Sequence, residues 1–414
     1  MTGDERNESE SSINFTYRDF IIGSFSPFGS AAEGGEETIK LKGSPAEIGE
    51  QYGKQSKKAI KDNLEFFQQM APLAGLNESD LAEAGSELEA FLAKENPELI
   101  EQLKAMAEHA DVSYDELLAF NALEEEVIGD GCTTVLATGD ATQSGNAYYH
   151  KTRDASRGSS QVVVQVEPED GYTFIGITSA GSTGIAMGIN ENGVSVGNNV
   201  LSTWDTGRGY GNLTVIRLAL EAASDAQDGV VFIENLQRAS GSVYGVADKS
   251  EAAWVETTAN HSAVHWVVDE AMAHTNHYIL PGMEQFDTLE TNESNERWSW
   301  YVSTHNRLDR AQHLLDEDSG KINSQRLVAL SEDQDPAYDD STYWIDSDAE
   351  INGVKMGSVS TGTFDGSKLR MWSQLGQPSV SPAIPFRVDQ PHIPAPFNSG
   401  KQSDRSKETA GNRN

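Results

Sequence analysis

The sequence predicts an α+β fold in which stacked antiparallel sheets are covered by helices. Three observations predict it. Apolar positions recur at helical spacing from Ile48 to about residue 125. At Cys132 the texture switches to strand-like runs joined by turns. Two strand-rich blocks then flank a pair of helices. A chain of 414 residues with 37% hydrophobic residues, 7 Trp, 12 Tyr and 14 Phe has material for a sizeable core.

The elements follow in order. Residues 1–36, rich in Ser, Glu and Gly, read as a flexible acidic leader. Glu37 to Lys42 reads as a short strand, and Ser44-Pro45 as a helix start. A helical pattern runs from Ile48 to Phe67, then over Asp80–Lys94, Pro97–Ala110 and Ser113–Glu126. Ser113 with Glu116 fits a capping box. Residues 37–131 therefore form a mainly helical part. Residues 132–398 form the strand-rich part, with Ser144-Gly145-Asn146 closing one hairpin and Asn190-Glu191-Asn192-Gly193 another. Helices are expected near Leu213–Ala223 and Ala226–Gln237, and another with Leu308, Ala311 and Leu314 on one face. Strands return near Val354–Thr361 and Leu369–Gln374. The polar stretch 399–414 reads as a disordered tail.

Charge bounds the partners. The chain carries 65 Asp+Glu against 30 Lys+Arg, a net charge of −35. That field repels nucleic acid and anionic membranes, so neither is expected as a partner. A dense carboxylate surface fits a chain adapted to high salt, where self-repulsion is screened. No apolar run approaches the roughly 18 residues that span a bilayer. The first twelve residues lack a charged-then-apolar signal pattern. The expected location is the cytoplasm, with a reduced thiol.

Cys132 is the sole cysteine and lies in Gly-Asp-Gly-Cys-Thr-Thr, residues 129–134. A small residue before a nucleophile that opens a strand is what a self-cleaving precursor needs. The thiol attacks the Gly131 carbonyl, and water releases a chain that begins at Cys132. Its new α-amine, with an ordinary pKa of about 7.7–8, can act as base for its own thiol. The plainer alternative is a buried structural cysteine.

Other motifs carry their own alternatives. In His274-Thr275-Asn276-His277-Tyr278, Asn276 can offer a side-chain N–H to an oxyanion. A histidine of this motif can instead pair with Cys132 as in thiol hydrolases. The histidines, with His261 and His265, lack the acidic or cysteine partners of a familiar metal site, so no metal is expected. Lys151-Thr152-Arg153-Asp154 returns beside Cys132 through the hairpin. It can hold an α-ammonium or substrate, or be an exposed ion pair at a strand end. Gly181-Ser182-Thr183-Gly184 lacks a Gly-Lys-Ser/Thr ending and reads as a turn.

Together these blocks resemble the peptidase C45 family, whose best-known members are the acyl-CoA:6-aminopenicillanate (isopenicillin N) acyltransferases. The resemblance runs from Leu41–Gly49 with Gln51-Tyr52-Gly53, through Ala105–Leu117, Phe120-Asn121 and Glu124. It continues through Gly131-Cys132-Thr133-Thr134, His274–Tyr278 and Ser303…Arg307…Arg310, and ends at Leu375-Gly376-Gln377-Pro378. It implies a four-layer αββα sandwich of N-terminal-nucleophile hydrolase type, cut between Gly131 and Cys132 into α and β fragments that stay associated. It implies Cys132 as nucleophile, Asn276 as oxyanion donor and Asp154 as the active-site aspartate. Arg307, with Arg310 as competitor, falls on a substrate-side arginine, and Thr133 and His277 fall beside the substrate. The family's Asn-Trp-Asp is replaced here by Thr152-Arg153-Asp154. The implied activity is acyl transfer or hydrolysis on a small-molecule acyl amide or acyl thioester. No cofactor is expected, with a coenzyme A thioester as candidate co-substrate. The other two readings are an unprocessed Cys-His thiol hydrolase and a non-catalytic binding protein on the same fold.

Overall fold

The computed structural model describes residues 38–129, 131–289, 298–334, 350–351 and 354–389. The acidic leader and the polar tail lie outside them.

The chain enters through a short strand, β1 (Ile39–Gly43), and then a run of helices. Ser44 caps α1 (Pro45–Gln55) with a reciprocal box: Glu47 N–H donates to Ser44 Oγ at 3.4 Å, and Ser44 N–H donates to Glu47 Oε2 at 2.8 Å. The helical run expected over Ile48–Phe67 is two helices. α1 ends at Ser56, and α2 (Lys57–Met70) starts without a side-chain cap. α3 (Glu78–Glu95) and α4 (Pro97–Ala110) follow. Gly49 and Gly53 let α1 lie directly on α4. A Cβ at Gly49 would come within 2.2 Å of Gln102 O. α5 (Tyr114–Ile128) bends at Leu123, whose φ of −128° and ψ of 15° leave the helical region. Its cap is simpler than the sequence suggests. Ser113 Oγ accepts the Glu116 N–H, and the return bond of a full box is not formed.

The strands build two sheets. In the first, β1, β4 (Gln161–Pro168), β5 (Phe174–Ser179), β6 (Met187–Asn190), β7 (Ser195–Val200), β8 (Ser242–Ala247), β9 (Ala252–Thr257) and β10 (Ser262–Val267) lie in that order. β1 runs parallel to β4, a departure from the all-antiparallel expectation, so the helical part lends a strand to this sheet. The second sheet has the order β11 (Ala271–His274), β2 (Gly131–Gly139), β3 (Gly145–Ser156), β13 (Val354–Asp365), β14 (Arg370–Leu375), β15 (Ile384–Arg387), with β12 (Glu350–Ile351) pairing on β13. Sequence patterning missed β15 and the short helix α9 (Ser324–Ser331).

The sheets face each other across one core. Leu136, Tyr149, Phe364 and Met371 of the second sheet meet Ile175, Met187, Val243 and Trp254 of the first. Helices cover both outer faces. α6 (Asn212–Ala222), α7 (Ala226–Asn235) and the earlier helices share a core with Val164, Val196 and Val246 of the first sheet. α8 (Trp298–Glu317) and α9 set Ala311, Leu314 and Leu327 against Val135, Ala137 and Tyr148 of the second. The result is an α+β sandwich with layers αββα. Among the described residues, no helix is long and apolar enough to cross a membrane.

Candidate active site

Alternation along β2 sets which way each side chain faces. Leu136 sits in the core between the sheets, while Val135 and Ala137 sit under α8. Cys132 and Thr134 share the parity of Leu136 and face the inner side. Thr133 faces α8. The partner strand β3 obeys the same rule. Cys132 stands opposite Arg153, Thr134 opposite Lys151, and Gly131 opposite Asp154. Lys151 and Arg153 thus share the thiol's face, and Asp154 lies on the α8 face.

The loop after β11 meets the start of β2. The Cys132 N–H donates to Asn276 Oδ1 at 2.9 Å. Arg307 of α8 donates from Nη2 to the same oxygen at 2.9 Å, and from Nη1 to the Cys132 carbonyl at 2.6 Å and Thr133 Oγ1 at 3.2 Å. Asn276 Nδ2 donates to the Val200 carbonyl at 3.0 Å. These partners fix the amide's orientation, because only its oxygen can receive the two donors. Thr304 steadies the loop by accepting the Asn276 N–H at 2.7 Å. Asn199, on the first sheet, donates to the carbonyls of His274 and Thr275 at 3.0 Å each and accepts from Thr134 Oγ1 at 2.6 Å.

Around this lattice the remaining residues are buried. Asp154 Oδ1 accepts from Ser358 Oγ at 2.6 Å. A Cβ added at Gly131 would lie 3.3 Å from Asp154 Cβ and 3.6 Å from its Oδ2, so the carboxyl group rests against the residue that precedes Cys132. Arg153 is 1% exposed and pairs with Glu124 at 3.0 Å. This corrects the reading of Lys151–Asp154 as an exposed ion pair. All four residues are buried, because the hairpin enters the middle of the sheet. Lys151 Nζ is held by the Asn198 carbonyl and by the Ala186 carbonyl at 3.4 Å.

The histidines are engaged elsewhere. His274 bonds through Nε2 to Glu256 Oε1 at 2.9 Å and through Nδ1 to the Thr275 carbonyl at 3.1 Å. His277 bonds through Nδ1 to Thr304 Oγ1 at 2.9 Å and stacks on His305 with ring centroids 3.9 Å apart. Burial, with the neighbouring His305, His274 and Arg307, drives the His277 pKa down to about 3. It is therefore neutral at ordinary pH. The competing Arg310 is turned away, forked onto Asp333 at 2.6 and 2.9 Å. Among the described residues, no group of three or more His, Cys, Asp or Glu side chains is placed to hold a metal ion.

The structure thus gathers Cys132, Asn276, Arg307 and Thr133 into one bonded set, with Gly131, Asp154 and His277 at its edge. Sequence reasoning did not single out Asn199, Thr304 or Ser358. Glu124 entered only as part of a helical block. Their side chains reach the site from distant parts of the chain, and a single sequence carries no signal for that.

This assembly of a thiol at the start of an inner strand, bounded by an Asn and an Arg, belongs with a family match. Residues 141–380, more than half of the chain, match the family described as acyl-coenzyme A:6-aminopenicillanic acid acyl-transferase. The chain belongs to that family. Its chemistry is that of an acyltransferase or amide hydrolase. The family match begins downstream of Cys132, so the role of the thiol does not follow from membership. No curated protein matches the sequence. Among solved structures, a mutant of conjugated bile acid hydrolase from Clostridium perfringens is 12% identical, covering 64% of this chain and 96% of its own, with a TM-score of 0.43. The N-acylethanolamine-hydrolyzing acid amidase ortholog of Caenorhabditis elegans is 14% identical, covering 57% and 93%, with a TM-score of 0.39. Penicillin V acylase from Agrobacterium tumefaciens is 12% identical, covering 62% and 86%, with a TM-score of 0.38.

Proposed function

We propose that this family member matures by cutting itself between Gly131 and Cys132, and that the freed Cys132 is the nucleophile for amide or thioester acyl donors. The observation that carries the reading is the hold on the backbone of Cys132, whose N–H belongs to the bond to be cut. The Cys132 N–H is bonded to Asn276, and the Cys132 carbonyl to Arg307. A nitrogen fixed in this way is a leaving group before the cut and a placed base after it.

In maturation the Cys132 thiol adds to the Gly131 carbonyl carbon. The C–N bond breaks, the thiol proton passes to the nitrogen, and a thioester remains. Water hydrolyses it, leaving a Gly131 carboxylate and a free thiol. In turnover the α-amine takes the thiol proton, and the thiolate adds to the acyl donor. Asn276 Nδ2 carries a second N–H that suits the resulting oxyanion. The ammonium returns its proton to the leaving group, and water or an amine takes the acyl group. Asp154, which rests against Gly131, would hold the ammonium. Arg307, Thr133 and His277 shape the substrate side from behind the strand rather than from an open surface. An N-acyl amino acid, small peptide or acyl amine is the proposed substrate class, with a coenzyme A thioester as the other donor. The fragments 1–131 and 132–414 would stay together through the shared core of β1, the early helices and the first sheet.

Intact mass measurement tests this. The wild-type protein should give two fragments in place of the 44.9 kDa chain, the larger one reading Cys-Thr-Thr from its amino end. Cys132→Ala should stay whole and inactive. An intact wild-type chain that nonetheless turns over acyl amides would end the proposal.

A further inference from the structure

The segment just upstream of the Gly131–Cys132 bond is tied down in an unusual way. α5 bends at Leu123, and Glu124 opens its last turn. The Glu124 carboxylate meets Arg153 Nη2 at 3.0 Å, with the two side chains 3% and 2% exposed. Arg153 is the residue directly opposite Cys132, and paired residues in an antiparallel ladder point to the same side. The guanidinium is therefore on the thiol's face. Its Nη1 is pinned from the first sheet by Ser179 Oγ at 3.1 Å. One turn after Glu124, the Ile128 carbonyl accepts from Ser156 Oγ at 2.7 Å, again on β3. Between them, half-buried Glu125 accepts from Asn198 Nδ2 at 3.2 Å, on the opposing sheet. A buried ion pair is poor as a source of stability, since both charges lose their hydration. In some proteins such a pair instead selects one arrangement of the elements it joins.

We propose that the Glu124–Arg153 pair is a positioning clamp for self-cleavage. It fixes the last turn of α5 against the strand beside Cys132, and so sets the Gly131 carbonyl over the thiol. The proposal rests on the self-cleaving reading above. Cleavage requires the sulfur and the carbonyl carbon to meet in one alignment, and a misplacement of about 1 Å can cost on the order of 100-fold in rate. Both partners are positioning residues. Once the bond is cut, the alignment they set has been used, so their effect on later turnover is small.

The experiment follows maturation of freshly synthesised full-length chain by intact mass, then measures turnover of the matured protein. Glu124→Gln should slow cleavage at least about tenfold. Arg153→Lys, which keeps the charge and loses the planar fork, should slow it severalfold. Asp333→Asn, which weakens the pair between Arg310 of α8 and Asp333 just beyond α9, should mature at the wild-type rate. Each slowly cut variant, once matured, should keep kcat/KM within about threefold of wild type, a split that general damage to the fold does not give. Should Glu124→Gln fail to fold, Arg153→Lys decides alone. Wild-type cleavage by a folded variant at either position, or an equal loss of cleavage and turnover, overturns the clamp. A wild-type chain that is never cut instead overturns the self-cleaving reading itself.

Discussion

Asn276 Oδ1 receives two donors at the same distance, the Cys132 N–H and Arg307 Nη2, each at 2.9 Å. One amide oxygen therefore ties the nitrogen of the Gly131–Cys132 bond to a buried arginine. Asn276→Ala should slow both maturation and turnover by roughly 100- to 1000-fold, the usual loss for a group of this kind. Asn276→Asp keeps the acceptor and loses the N–H, so it should retain more of the maturation rate than of kcat. Time-resolved intact mass and steady-state kinetics check both. Equal loss in the two rates for Asn276→Asp would count against separate use of the oxygen and the N–H.

Arg307 spans the Cys132 carbonyl, Thr133 Oγ1 and Asn276 Oδ1 with a single planar fork. Lysine presents one point charge and cannot make these bonds together. Arg307→Lys should lower kcat/KM about 10- to 100-fold, with a folded core by circular dichroism. Arg310→Lys, whose partner is Asp333, should stay near wild type. The reverse order of effects would return the assignment to Arg310.

His150 of β3 is fully buried within the second sheet, with Nδ1 on Thr363 Oγ1 at 2.8 Å. Burial pushes its pKa from 6.5 down to about 3. Between those values the unfolded chain holds a proton that the folded chain refuses. The stability from this group is complete above about pH 6.5 and is lost as the pH falls towards 3. The loss between pH 7.5 and 5 is about 2 kcal/mol. Urea unfolding of wild type and His150→Gln at the two pH values measures it. His150→Gln should have the shallower pH dependence, and an equal slope would refute the assignment.

The net charge of −35 sets a salt dependence. Self-repulsion between surface carboxylates is screened as the Debye length falls from about 10 Å at 0.1 M to about 3 Å at 1 M. The urea midpoint should rise steadily between about 0.1 and 2 M KCl. A flat or falling midpoint would remove the case for adaptation to high salt.

Much of the fold was legible because its signals are local. Pro97–Ala110 was placed to the residue, since Pro opens that helix and its apolar spacing is regular. Asn190-Glu191-Asn192-Gly193 was placed as the turn between β6 and β7, because Gly193 takes a φ of +86° that other residues avoid. The break at Ser56 was not legible, as the apolar stripe continues across it from Ile48 to Phe67. β15 was missed because it is four residues long and contains a proline. The site divides the same way. Cys132 stood out by its glycine and its strand. For Arg153 the sequence left an exposed ion pair open beside a site role, because its partner Glu124 is 29 residues away and on a helix.

Sequence alone determined the order of most helices and strands, the position of Cys132 at the head of a strand, and the motif holding Asn276. Those depend on residue types, spacing and turn chemistry, which act within a few residues. Tertiary structure alone decided that Asn276 turns its oxygen to the Cys132 nitrogen, that Arg307 rather than Arg310 closes on the Cys132 carbonyl, and that Glu124 meets Arg153 on the thiol's face. Each of these depends on which donor finds which acceptor once water is excluded. Only the packing of β2 between β11 and β3, beneath α8, brings those groups within bonding distance.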